Sequence, residues 1–417
     1  MSILWRPTVP DFGQFYIGGI LASRGEWAAL YPIPIPGSLD NAGLINHSRA
    51  KARWIALSRV HGVQDYTHFI LPPPSALLFI PFSLLNYKTA FWVWTFFLIG
   101  CTWGVAIVSG ILFQSIVGRP TRWSGILSLL IVASPVAVRA IRIANVSPPI
   151  ALLVGLILVA LIQDRKPGRG AFAMLVGAAF KYATLILLPL LLILRRWKML
   201  FWFSGLCALG IILTLSFSGK ESFLEFYKVI LPTLSRPSWF QGNQSLPGLL
   251  ARIHGRPFSS TLVLVLGVAR IFSFSLIIAL LSEIPDQERH NPINLCAATG
   301  LLISWLLIFS PIAWEHWPIF LCPIWGWLIW EMRNPGLPRI IALSSIILMS
   351  LPAGIIHVKG IMTYQIYPPE PFNSTQLIGS SLVMILATWR LVQSVLTQTS
   401  DHSDNPQNEA ADRNKAK

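Results

Sequence analysis

The chain has 417 residues, of which 54% are hydrophobic and only 12% charged, with a formal net charge of +15. With a mean hydropathy of +0.61, this excludes an ordinary soluble domain and fits an all-α integral membrane protein, because a bilayer core of about 30 Å takes roughly 20 apolar helical residues per crossing. Nucleic acid is not an expected partner: the basic residues lie in loops between apolar runs, where membrane lipids are the natural counter-charge.

The opening M-S-I-L-W-R-P-T-V-P lacks the apolar core of a cleavable signal peptide. Residues 1–72 mix polar and aromatic side chains and are broken by Y-P-I-P-I-P-G, the pattern of an extramembrane loop of short helices. Asp11 stands near its start in D-F-G-Q-F-Y-I-G-G, where Phe12, Phe15, Tyr16 and the following G-G-I-L-A predict a short amphipathic helix holding the carboxylate against the membrane face. Asp40 and Asp65 are its nearby competitors. The next segment, L-P-P-P-S-A-L-L-F-I-P-F-S-L-L-N, is apolar from Ser75 to Leu85 but too short to cross, and predicts a half-inserted helix.

Spans are expected at roughly 88–113, 123–138, 147–162, 198–217, 258–281, 293–310, 318–330, 337–356 and 377–396. Residues 170–194 are long enough for one crossing yet basic on both flanks, which predicts a re-entrant pair of half-helices. Arg119, Arg122, Arg165, Lys166, Arg169, Arg195, Arg196, Lys198, Arg333 and Arg339 mark the cytoplasmic side, with S-E-I-P-D-Q-E-R-H-N-P beside them despite its acidity. The loops at 1–72, 139–147, 218–257, 310–317 and 357–376 then share the extracytoplasmic side. Residues 1–397 form one multi-span domain, and 398–417 read as a disordered cytoplasmic tail. Cys101, Cys207, Cys296 and Cys322 lie in apolar stretches without disulfide or metal-ligand spacing, and no metal or cofactor is expected.

Candidate chemistry falls on a few polar residues. Lys181, in A-A-F-K-Y-A-T-L, is too deep to snorkel out. A charge at such depth costs about 2.5–3.5 kcal/mol, so it reads either as one half of a structural ion pair or as an ammonium facing an anionic lipid head group. Glu315 and His316 sit between two tryptophans in S-P-I-A-W-E-H-W, at a membrane boundary. The loop F-Q-G-N-Q-S-L-P-G-L-L-A-R supplies Asn243, Gln244, Ser245 and Arg252, a donor set for sugar hydroxyls and phosphate or, equally, a helix cap.

These segments, in this order, resemble glycosyltransferase family 87, membrane enzymes of the GT-C class. The match runs through D-F-G-Q-F-Y-I-G-G-I-L-A-S-R-G-E-W-A-A-L-Y, then L-P-P-P-S-A-L-L-F-I-P, G-A-A-F-K-Y, G-N-Q-S-L and S-P-I-A-W-E-H-W. The resemblance implies a GT-C-type helical bundle that moves a sugar, mannose in characterised members, from a polyprenyl-phosphate donor to a lipid or glycan acceptor on the outer face of a bacterial inner membrane. It makes Asp11 the general base and puts Tyr16, Lys181, Asn243, Gln244, Ser245, Arg252, Glu315 and His316 around the substrates. In the family a transmembrane helix precedes this Asp, so either the start lies further upstream or the N-terminus reaches the outside unaided. The family's Gly-Gln loop is replaced here by R-I-A-N-V-S-P, with Asn145 as the substitute.

The chemistry is coherent on the residues alone. A single carboxylate that takes the acceptor's proton fits an inverting single displacement, and lysine, arginine or protonated histidine would stabilise the departing phosphate. The alternatives are a multi-span lipid or sugar transporter or flippase, and a polysaccharide ligase or polymerase. Neither internal repeats nor one large loop between late spans accompanies them here.

Overall fold

The computed structural model describes residues 11–31, 41–63, 69–163, 166–235, 237, 242–254, 260–351, 355–359, 362–366 and 372–403. Asp40 and Asp65, and the tail from residue 404, lie outside them. The chain is helical nearly throughout: α1 (Phe12–Ser23), α2 (Asn41–Val60), α3 (Pro73–Leu78), α4 (Ile80–Ser83), α5 (Tyr87–Val117), α6 (Trp123–Val132), α7 (Pro135–Arg142), α8 (Ser147–Gln163), α9 (Pro167–Phe180), α10 (Leu188–Ile193), α11 (Trp197–Glu225), α12 (Leu231–Leu234), α13 (Leu246–His254), α14 (Ser260–Ser282), α15 (Pro292–Phe309), α16 (Trp325–Glu331), α17 (Leu337–Ser350) and α18 (Thr375–Ser403). One antiparallel ribbon, β1 (Ile355–Lys359) with β2 (Met362–Ile366), precedes α18.

Among the described residues five helices are long and apolar enough to cross a membrane, or six if α6 and α7, bent by 43° at their junction, count as one. Ser134 makes that junction a new helix start, its hydroxyl accepting from the Ala137 N–H ahead of Pro135. α15 is buried at the centre and packs against α18, α8 and the 3₁₀ helix Trp317–Ile324. α11 and α14, by contrast, expose their apolar faces, as lipid-facing helices do.

Three expectations are corrected. Residues 318–330 are not a regular span but the 3₁₀ helix Trp317–Ile324 running into α16, because Pro318 and Pro323 lack N–H donors. α1 is not amphipathic: every residue from Phe12 to Ala22 is buried. Residues 69–85 cover it, and a Cβ on Gly19 would lie 2.5 Å from the Phe79 carbonyl oxygen, so only glycine admits that approach. The last helix continues to Ser403, six residues into the stretch that reads as tail.

Residues 167–193 fold back on themselves. α9 ends at Lys181, whose backbone is extended (φ −155°, ψ 145°), and the chain returns through the 3₁₀ helix Tyr182–Leu187 and α10. The two arms meet where Thr184 sits over Gly177, a position with no room for a side chain, and the Thr184 hydroxyl donates to the Met174 carbonyl at 3.0 Å. Both ends lie beside the end of α8: α9 follows it directly, and Arg196, past α10, donates to the Leu161 carbonyl at 2.9 Å. Arg196 also pairs with His290 at 3.1 Å, so the acidic turn before α15 shares this basic end of the bundle. Lys181 is at the apex, away from it.

Candidate active site

Asp11 sits immediately before α1 and is tied to the turn after α7. Its N–H donates to the Ile143 carbonyl at 2.8 Å, and its Oδ2 accepts from Asn145 Nδ2 at 2.5 Å. Ala144, between those partners, is a buried alanine at φ 52°, a left-handed conformation that costs about 1–3 kcal/mol in a residue other than glycine and is stored where the surroundings impose it. Here the Trp94 indole N–H holds the Ala144 carbonyl at 3.0 Å.

Burial raises the Asp11 carboxyl above its ordinary value of 3.8, against the Asn145 hydrogen bond and then the positive charges of Lys181 and Arg139, which pull it down. A carboxylate so tuned has more affinity for a proton than an exposed one, as a general base requires. One turn along α1, the buried Gln14 leaves its Oε1 without a hydrogen-bond partner among the described residues.

Lys181 reaches the other half of the site, where its ammonium lies 4.8 Å from the centre of the Trp317 ring. The Trp-Glu-His turn is held there from two directions. Glu315 forms a salt bridge with Arg139 of α7, and the turn pairs with the loop before α13, through Gln244 N–H to the Ala313 carbonyl at 2.6 Å and Glu315 N–H to the Gly242 carbonyl at 3.2 Å. His316 is buried, and its pKa lies well below the usual histidine value, first because burial disfavours the cation and then because Lys181 and Arg139 repel it. Burial and both cations thus favour the neutral imidazole over the protonated histidine the sequence allows. His316 Nε2 and Trp317 Nε1 have no hydrogen-bond partner among the described residues.

The remaining candidates form hydrogen bonds to the protein itself. Asn243 donates to the Pro311 carbonyl at 2.9 Å, and its Oδ1 accepts from the Ala313 N–H at 2.8 Å. Ser245 caps α13 through the Gly248 N–H at 3.1 Å. Gln244 donates to the Asn373 carbonyl at 2.8 Å, while Arg252 donates to the Asn243 carbonyl at 2.7 Å and the Ser374 hydroxyl at 3.1 Å. Tyr16 is buried, its hydroxyl donating to the Leu85 carbonyl at 2.7 Å. So Asp11, Lys181, Glu315 and His316 come together around Arg139, with Asn243, Gln244, Ser245 and Arg252 bracing the Trp-Glu-His turn behind them. Arg139 is the residue that sequence reasoning misses. Its only signal is a cation at the end of an apolar run on the side that carries few others.

Among the described residues no group of histidine, cysteine or carboxylate side chains could hold a metal. Fold and site together define a polytopic helical membrane protein with a cluster of charged side chains at the apex of a helical hairpin. The family model of glycosyltransferase family 87 matches residues 69–311, more than half of the chain. The chain belongs to that family and is a membrane glycosyltransferase. Searches among curated proteins and among solved structures returned no match. The matched stretch holds Arg139, Asn145 and Lys181 but neither Asp11 nor Glu315, and the hydrogen bond to Asn145 and the ion pair with Arg139 are what join those two to it.

Proposed function

We propose that this enzyme moves a hexose, mannose on the family resemblance, from a polyprenyl-phosphate donor to a lipid or glycan acceptor at the outer face of a bacterial inner membrane. The carrying observation is the pairing of one partly buried carboxylate, Asp11, with the cations Lys181 and Arg139 around it. Asp11 takes the proton of the acceptor hydroxyl as its oxygen attacks the anomeric carbon. The bond from that carbon to the phosphate oxygen breaks, and polyprenyl phosphate leaves with the electron pair. Lys181 and Arg139 stabilise the charge gathering on the phosphate, and neutral His316 offers its unpaired Nε2 as a further hydrogen-bonding group. Asp11 is accompanied by an amide and two cations, Asn145, Lys181 and Arg139, a setting that suits a lone base and single displacement with inversion.

The orientation rests on charge. Lys166, Arg169, Arg195 and Arg196 gather at the hairpin ends and Lys181 at its apex, so a cytoplasmic basic end puts the site outside. Residues 1–397 act as one membrane unit in this reading.

The test is transfer of labelled mannose from polyprenyl phosphomannose, by the protein in native membranes, into a lipid-extractable or glycan product of inverted anomeric configuration. A nucleotide sugar in place of the lipid donor should give no transfer, and transfer from it alone would overturn the donor assignment. In a background without native cysteines, Gly168→Cys at the start of α9 should react with an impermeant thiol reagent only after permeabilisation; labelling in intact cells would reverse the orientation.

A further inference from the structure

One turn of chain holds Asp11 twice, by its backbone N–H through Ile143 and by its carboxylate through Asn145. The Asn145 amide cannot be turned over. Its Oδ1 accepts from the Ser147 N–H at 2.9 Å and the Ser147 hydroxyl at 2.6 Å, so a flipped amide would set its NH₂ against a backbone donor while facing an oxygen at the carboxylate. The turn itself is fixed by the Asn145 N–H donating to the Ala140 carbonyl at 3.1 Å and by Trp94 on Ala144. Asp11 Oδ1 takes no hydrogen bond among the described residues, so one carboxylate oxygen is committed and the other is not.

Resting on the reading of Asp11 as the base, we propose that Asn145, locked by Ser147, is a positioning residue that fixes the carboxylate's rotation and presents Oδ1 to the acceptor hydroxyl. The amide at this place therefore does a task that neither a hydrophobic residue nor a rotating hydroxyl could do. The charged and titratable groups facing Asp11 are Lys181 from the hairpin apex and Arg139 from α7. Glu315 and His316 stand behind them in the Trp-Glu-His turn, and Tyr87 of α5 is near through its stacking on Phe12.

The test reads the carboxylate directly. Labelling of Asp11 by a hydrophobic carbodiimide, followed by mass spectrometry against pH in the full-length protein, reports the protonated fraction whatever the substrate is. Removing a donor from a carboxylate disfavours its charged form, so Asn145→Ala should move the labelling midpoint up by about one pH unit or more. The acid limb of the transfer rate should move with it. Ser147→Ala removes a single hydroxyl and serves if the larger change unfolds the protein; it should shift the midpoint the same way by less. A merely structural role would lower the rate equally at every pH and leave the midpoint in place. Unmoved midpoints in both variants, with Asp11→Asn inactive, overturn the Asn145 assignment alone. Wild-type transfer by Asp11→Asn overturns the base reading beneath it.

Discussion

Asn145-Val146-Ser147 and Asn243-Gln244-Ser245 are the same local device used for two purposes. In each, the asparagine Oδ1 accepts from the N–H and hydroxyl of the serine two residues on, at 2.9 and 2.6 Å in the first and 3.2 and 2.9 Å in the second. This Asx arrangement starts a helix and fixes the side-chain amide. The difference is where the NH₂ then points. Asn243 spends it on the Pro311 carbonyl and so builds the wall that carries Glu315 and His316, whereas Asn145 spends it on a carboxylate. A locked amide whose target is backbone braces the fold; one whose target can take a proton acts, in the proposed mechanism, on the chemistry as well.

The largest effect is expected at the wall's ionic anchor. Arg139→Ala removes the ion pair of the buried Glu315, and breaking such a pair costs about 3–5 kcal/mol, to be measured by thermal or denaturant unfolding in detergent. Replacing both by apolar residues, Arg139→Met with Glu315→Leu, should restore most of that stability but not transfer; recovery of transfer would remove the pair from the site. A smaller effect separates the two asparagines. Asn243→Ala removes the partner of the part-buried Pro311 carbonyl and of the buried Ala313 N–H and should lower stability by about 1–3 kcal/mol, with the pH profile of the remaining activity in place. Asn145→Ala should do the reverse, moving the profile more than the melting temperature. The smallest change expected is Tyr16→Phe, which deletes one hydrogen bond to Leu85 and should cost about 0.5–1.5 kcal/mol, with transfer retained. Loss of transfer in a stable Tyr16→Phe protein would return that tyrosine to the substrate pocket.

Much of the site is legible in the sequence because charge in an apolar chain is conspicuous. Lys181 stands out by its depth, and the basic flanks of residues 170–194 imply the reversal that places it at an apex. What hides is reciprocity. Arg139 reads as the end of a span until Glu315, far along the chain, is found against it. The donors of Asn243, Gln244 and Arg252 look available for sugars until the carbonyls of Pro311, Asn373 and Asn243 itself are seen to take them. α1 misleads because it stands in a polar stretch, where a short helix reads as a surface one. The segment that covers its outer face lies past residue 68, and no local pattern announces it.

In the proposed mechanism Asp11 is the proton acceptor of the transfer step. The direct measurement compares Asp11→Asn with wild type in membranes, following both binding of polyprenyl phosphomannose and its transfer across pH. Wild-type transfer should fall as pH drops through a midpoint above the ordinary carboxyl value of 3.8, since protonation removes the base. Asp11→Asn should keep donor binding, lose transfer by about 10²- to 10⁴-fold and show no such limb. Transfer at the wild-type rate with the limb intact would contradict the account.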